Sequence, residues 1–184
     1  MSSVIITALM VIRKMKRRSN YSGRTLILGL GNTLLGDEGI GVWVINRIRD
    51  EGIVLPDNVD LADGGTAGYD LMLIMQGYDR VVIVDAINIP DRPGSIYRFL
   101  PEHAPVPPAG FSLHETGVFR VLRLMEIMGC CPDIECIGIV PEKTGFACME
   151  ISRVVRESFP AIISEVMDAV SLNNGEVSYG YKQA

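Results

Sequence analysis

The 184-residue chain has only two histidines, four cysteines and one tryptophan. That scarcity narrows the chemistry before any motif is sought. Cys130, Cys131, Cys136 and Cys148 form no CxxC pair, which removes a zinc ribbon or a disulfide framework and leaves buried or free thiols. No apolar run approaches the ~20 residues needed to span a bilayer; Val4–Ile12 is apolar but too short. Its positive cluster follows the apolar run, whereas a secretory signal places charge before it. A GxSxG elbow and a Cys–His context are both lacking, so a serine or cysteine nucleophile is unsupported.

Charge is unevenly spread. Residues 1–24 hold six of the 17 basic residues and no acid, so the body from Thr25 onward carries 11 basic against 22 acidic residues, or -11. An acidic body repels phosphate backbones. Nucleic acid is therefore excluded as a partner, and a cationic or metal-bearing partner fits. Residues 1–24 are read as a basic tail outside the fold, with a membrane-surface tether as the lesser alternative. Residues 25–172 are expected to form one domain, and 173–184 a frayed tail. With 48% hydrophobic and 21% charged residues, the body suits a globular domain.

Strands are expected at Thr25–Leu30, Asn58–Ala62, Arg80–Val84, Ser95–Leu100 and Ile134–Val140, and helices at Glu38–Glu51, Ala67–Gly77, Glu115–Met128 and Met149–Leu172. The apolar, β-branched runs without alternation mark strands covered on both faces. Ala86–Gly94 contains two prolines and leaves no room for a crossover helix, so the strand after it should run antiparallel to a neighbour. Ser112 and Glu115 form a capping-box pattern, and Pro160 should bend or break the last helix. The fold class is α/β: a three-layer α/β/α sandwich over a mostly parallel twisted sheet of about five strands, one of them antiparallel. Met72, Met75, Met125 and Met128 fall on apolar helix faces and are read as core.

In such sheets ligands bind beyond the carboxyl ends of the strands. Asp85 closes the RVVIV strand, and Asp37 and Glu38 open the helix after the first strand. A carboxylate at the end of a buried strand needs a partner. His114 lies beside an expected helix start, where neutral imidazole is favoured. Two carboxylates and an imidazole suit a divalent transition metal. The plainer alternatives are an N-cap role for Asp37, a first-turn acid for Glu38 and a turn former for Asp85. His103, in a Pro-rich loop, is read as structural. Gly29, Gly31 and Gly36 suggest a nucleotide loop, but Leu34 stands where a GxGxxG needs glycine and no GK[ST] follows. Two acids at that helix start would also repel a phosphate. Gly64-Gly65 serves a backbone need, either positive φ or close approach of another chain.

The stretches LILGLGNTLLGDEGIGV (Leu26–Val42), DGGTAG (Asp63–Gly68), VVIVDAI (Val81–Ile87), PGSIYRF (Pro93–Phe99) and SLHETG (Ser112–Gly117), in this order and spacing, resemble the nickel–iron hydrogenase maturation endopeptidases. The resemblance implies metal-binding positions at Glu38, Asp85 and His114, and a role for Asp63, Gly64, Gly65 and Thr66 in substrate recognition or cleavage. It implies an endopeptidase that removes the C-terminal extension of the hydrogenase large-subunit precursor after nickel insertion. The nickel is then contributed by the substrate, with another divalent cation able to take its place in vitro. Asp37 and Asp63 are the candidate bases; the family is sometimes grouped with aspartic-type peptidases, but no paired-Asp dyad is visible. A monomer in the cytoplasm is expected. The rival readings are another metal-dependent peptidase or hydrolase on the same fold, which would hold its own metal tightly, and a nucleotide-binding regulatory module.

Overall fold

The computed structural model describes residues 23–101, 113–143, 149–171 and 181–182, with the side chains of 113–116 and 181–182 left outside the description. Strand β1 (Thr25–Leu30) leads through a 3-10 turn (Gly36–Gly39) into helix α1 (Ile40–Asp50). Strand β2 (Val59–Gly65) is followed by a second 3-10 turn (Gly68–Asp70) and a short helix α2 (Leu71–Met75). Then come β3 (Arg80–Ala86), β4 (Ile96–Phe99), helix α3 (Leu113–Ile127) and β5 (Asp133–Ile139). Helices α4 (Arg153–Glu157) and α5 (Phe159–Ser171) and a two-residue strand β6 (Tyr181–Lys182) complete the order.

The sheet runs β2-β1-β3-β5-β4-β6. The first four strands in that order are parallel; β4 is antiparallel to both β5 and β6. The antiparallel strand follows from the loop before it, too short to return the chain to the opposite edge. Successive strand residues alternate between two apolar layers, as the period of two requires. Ile27, Val82, Val84, Ile137 and Ile139 pack with Val44, Ile45 and Ile48 of α1 and Ile162, Val166 and Ala169 of α5. Leu26, Leu28, Val81, Ile83 and Cys136 pack with Met75 of α2 and Val121, Leu122 and Met125 of α3. Cover on both faces is the reason these strands read as continuous apolar runs.

Several boundaries differ from expectation. The second strand runs on to Gly65, because pairing with β1 continues past Asp63. The helix expected over 67–77 is only a 3-10 turn plus five α-helical residues, ended by Gly77 in the left-handed region (φ 84°). The last helix breaks as expected, at Ser158 beside Pro160, while Ser152 caps α4 by accepting from the Val155 N–H. Tyr181–Lys182 pairs with Ile96–Tyr97 and adds a sixth strand to the sheet. Arg24 belongs to the fold rather than to a tail. Its guanidinium donates to Asp60 and lies over the Tyr78 ring, and its N–H donates to Asp79. Met128 is 61% exposed, since the α3 stripe that meets the sheet ends at Met125. Ser112, His103, Cys148 and residues 1–22 lie outside the described residues. Among the described residues no helix is long and apolar enough to cross a membrane.

Candidate metal-recognition site

The winding direction reverses between β1 and β3. From β1 the chain moves outward to β2, then returns across β1 to β3 on the other side. The carboxyl ends of β1 and β3 therefore border a crevice of the kind where α/β sheets bind ligands. Glycines let the chain close tightly around it. A Cβ on Gly41 would meet the Val84 carbonyl oxygen at 2.0 Å and the Leu30 carbonyl oxygen at 2.4 Å, so the first turn of α1 rests directly on the ends of both strands. Gly31 has φ 119°, and a Cβ there would stand 1.9 Å from the Glu38 carbonyl oxygen. The glycines around the first strand thus serve close backbone approach, not a phosphate.

That packing buries two carboxylates within electrostatic reach of each other. Glu38, in the 3-10 turn, and Asp85, near the end of β3, are each 8% exposed. Burial pushes the Asp85 carboxyl up to about 7; the Ala86 N–H, donating to it at 2.8 Å, pulls the other way, and the charge of Glu38 pushes it further up. Among the described residues no cation contacts Asp85. The turn-former alternative fails on position, because Asp85 is inside the strand and paired in register with Gly138.

His114 is in the first turn of α3, one residue inside the helix rather than before it. Its side chain lies outside the described residues, but the backbone places it. Helix α3 ends at Ile127 and a short link enters β5 at its amino end. Fifteen helical residues span ~22 Å, about the length of a seven-residue strand. The start of α3 is therefore back at the carboxyl rim, on the sheet face toward which Asp85 alternates. Among the described residues no three His, Cys, Asp or Glu side chains form a metal-binding group.

Asp63 and its neighbours share this rim. Asp63 is exposed, pairs in register with Gly29 and accepts the Gly65 N–H at 2.9 Å. The Gly31 N–H donates to the Gly65 carbonyl at 3.0 Å, tying the end of β2 to the end of β1. The positive-φ explanation holds for Gly65, while Gly64 is crowded by side chains of the same chain rather than by another one. Gly65 has φ 44°, and a Cβ on Gly64 would meet Leu30 at 2.7 Å. Thr66 is exposed beside them.

Asp37 is not an N-cap. It is inside the 3-10 turn and 1% exposed, and the turn has no side-chain cap. Its Oδ2 accepts the backbone N–H groups of Glu142 at 2.9 Å and Lys143 at 3.1 Å, and its Oδ1 that of Ser152 at 2.7 Å. These partners are more than 100 residues away in the chain. No local motif announces them, and sequence reading missed them. Beside this turn is a cavity of about 420 Å³ walled by Leu35, Gly36, Lys143, Glu150, Ser152 and Arg153, among others.

Comparison with known proteins agrees with the architecture. A solved structure of the E. coli hydrogenase maturating endopeptidase HybD superposes with a TM-score of 0.70 at 30% identity, covering 80% of this chain and 92% of that one. The [NiFe] hydrogenase maturation protease HybD from Thermococcus kodakarensis gives 0.65 at 27% identity, covering 80% and 99%. The hydrogenase expression/formation protein HupD of Bradyrhizobium diazoefficiens is 35% identical over 116 residues, covering 62% of this chain; this chain spans 60% of the length of that relative. The family model described as hydrogenase maturation protease matches residues 44–169, and with more than half of its length matched the chain belongs to the hydrogenase maturation protease family.

Proposed function

We propose that this protein is the endopeptidase that removes the C-terminal extension of a nickel–iron hydrogenase large-subunit precursor once nickel has been inserted. The observation that carries the reading is the buried Asp85 carboxyl facing Glu38 at the β1/β3 rim. Burial, with the charge of Glu38 added to it, raises the cost of ionising Asp85. A divalent ion brought by the precursor relieves that cost, and the backbone of α3 brings His114 to the same rim. Nickel is then part of the substrate, and another divalent cation can stand in for it in vitro. An empty precursor brings no such ion, which makes the pair a check on nickel loading.

Cleavage adds a water oxygen to the scissile carbonyl carbon, breaks the C–N bond and passes a proton to the departing amine. Asp63 is the candidate base that geometry favours, being exposed at the rim beside Gly64, Gly65 and Thr66, which would line the extended peptide. Asp37, the other candidate, is better placed to hold backbone than to take a proton. Three of the roughly four lone-pair sites on its carboxylate already accept N–H groups. The relatives' names, hydrogenase maturation proteases, support the substrate class. We place the reaction in the cytoplasm and assign it to a monomer.

The test is cleavage of nickel-loaded and nickel-free precursor, read by mass spectrometry, with His114→Ala in parallel. The wild type is expected to cut only the loaded form and the variant to cut neither. Normal processing by the variant would refute nickel recognition by this trio.

A further inference from the structure

The sequence-level acidity of the body hides a basic wall next to the rim. The cavity beside Gly36 is lined by Lys143, Arg153 and Arg156 and by one carboxylate, Glu150, while the exposed Arg153 guanidinium also pairs with Glu157 at 2.7 Å. At about 420 Å³ it is within the range of ligand pockets. Its floor, Leu35 and Gly36, immediately precedes Asp37 and Glu38. The wall is attached to that floor through one side chain. Asp37 takes the N–H groups of Glu142 and Lys143 on one oxygen and that of Ser152 on the other, so two separate stretches of chain converge on it. The Arg156 guanidinium adds a bond to the Ile151 carbonyl at 3.1 Å, bracing the same wall from α4.

We infer that Asp37 is a positioning residue, holding Glu142–Lys143 and Ser152 against the Gly36–Gly39 turn so that the cavity they wall forms a subsite for an anionic stretch of the precursor chain. This rests on the peptidase reading above and adds to it a binding subsite and its charge preference. Asparagine cannot replace the carboxylate. With one acceptor oxygen it must point an amide N–H at a backbone N–H on one side or the other, releasing one stretch of the wall. The wall binds peptide and touches no reacting atom, so its loss weakens substrate binding and leaves the chemical step intact.

The experiment is steady-state cleavage of nickel-loaded precursor by the full chain, with Asp37→Asn, Glu38→Gln and a Lys143→Gln, Arg153→Gln double variant. For Asp37→Asn, KM is expected to rise about tenfold or more with kcat held within about threefold, and the preference for loaded precursor is kept. The double variant should raise KM similarly and weaken its dependence on salt, without a shift in Tm. A kcat loss of about 100-fold at unchanged KM would instead make Asp37 a base and overturn the inference. So would a lower Tm with kcat and KM both unchanged, the mark of a purely structural anchor. If Asp37→Asn fails to fold, the double variant decides alone, and an unchanged KM there overturns the subsite. Normal cleavage by Glu38→Gln would instead count against nickel recognition, a failure separate from either outcome for the wall.

Discussion

The two ends of the parallel sheet handle buried charge in opposite ways. Toward the amino ends of the strands, Glu135 of β5 accepts from Arg80 of β3 and Arg98 of β4, all three nearly inaccessible. Arg80 also donates to the Ala169 carbonyl at 2.8 Å, near the C-terminal end of α5 where carbonyls lack helical partners. Charge there is met by opposite charge. At the carboxyl ends Asp85 and Glu38 set like charge against like, and the Asp85 carboxyl is driven up to about 7. A buried ion pair accounts for itself within the fold. A buried acid whose ionisation the fold opposes, as at Asp85, marks a candidate functional site.

That contrast breaks most visibly at its paired end. Glu135→Ala leaves two buried guanidinium groups facing each other, and a loss of about 3–5 kcal/mol is expected in urea unfolding. A loss near zero would show that the network does not hold the base of the sheet. At the other end the sign reverses. Burial pushes the folded Asp85 carboxyl up to about 7 from its ordinary value of 3.8, so the folded state binds the proton more tightly than the unfolded one and wild-type stability falls as pH rises between those values. Asp85→Asn, which cannot ionise, is therefore expected to be stabilising by up to about 4 kcal/mol above pH 7 and by little near pH 4. The same variant should lose precursor cleavage. Melts at pH 5 and pH 8 that show equal gains would mean that Asp85 has a cationic partner and that the two ends are alike. The smallest effect is expected of Arg98→Met. It removes one ion pair, yet it also removes a buried guanidinium nitrogen, Nη2, that has no hydrogen-bond partner among the described residues. With Arg80–Glu135 still paired, a cost of about 1–2 kcal/mol should appear in the same melts. A loss as large as that of Glu135→Ala would make the three groups one inseparable unit.

The strands were legible because each is a short run of apolar, β-branched residues with no period, and Thr25–Leu30 emerges with its expected bounds. Asp85 was legible for the same reason, as an acid at the end of such a run. The antiparallel β4 could be read from a loop too short and too rich in proline to cross the sheet. What escaped reading depended on distant partners. Nothing near Asp37 in the chain hints at Glu142, Lys143 or Ser152, and an N-cap was the natural local guess. Glu135 and Arg98 are buried as partners in the structure, a pairing between strands that no local pattern announces. The tail residues Tyr181–Lys182 join the sheet only because β4 presents an open edge to them.

By itself the sequence determined the layered α/β architecture, the glycine-lined first turn and the candidate trio Glu38, Asp85 and His114, since periodicity, chain length and residue chemistry are local properties. Only the tertiary structure decided which acids are buried near each other and which carboxylate is taken up by backbone N–H groups. It also decided that one wall of an acidic protein is basic. The reason is that burial and electrostatic partnership depend on which distant segments meet, and no local pattern encodes that meeting.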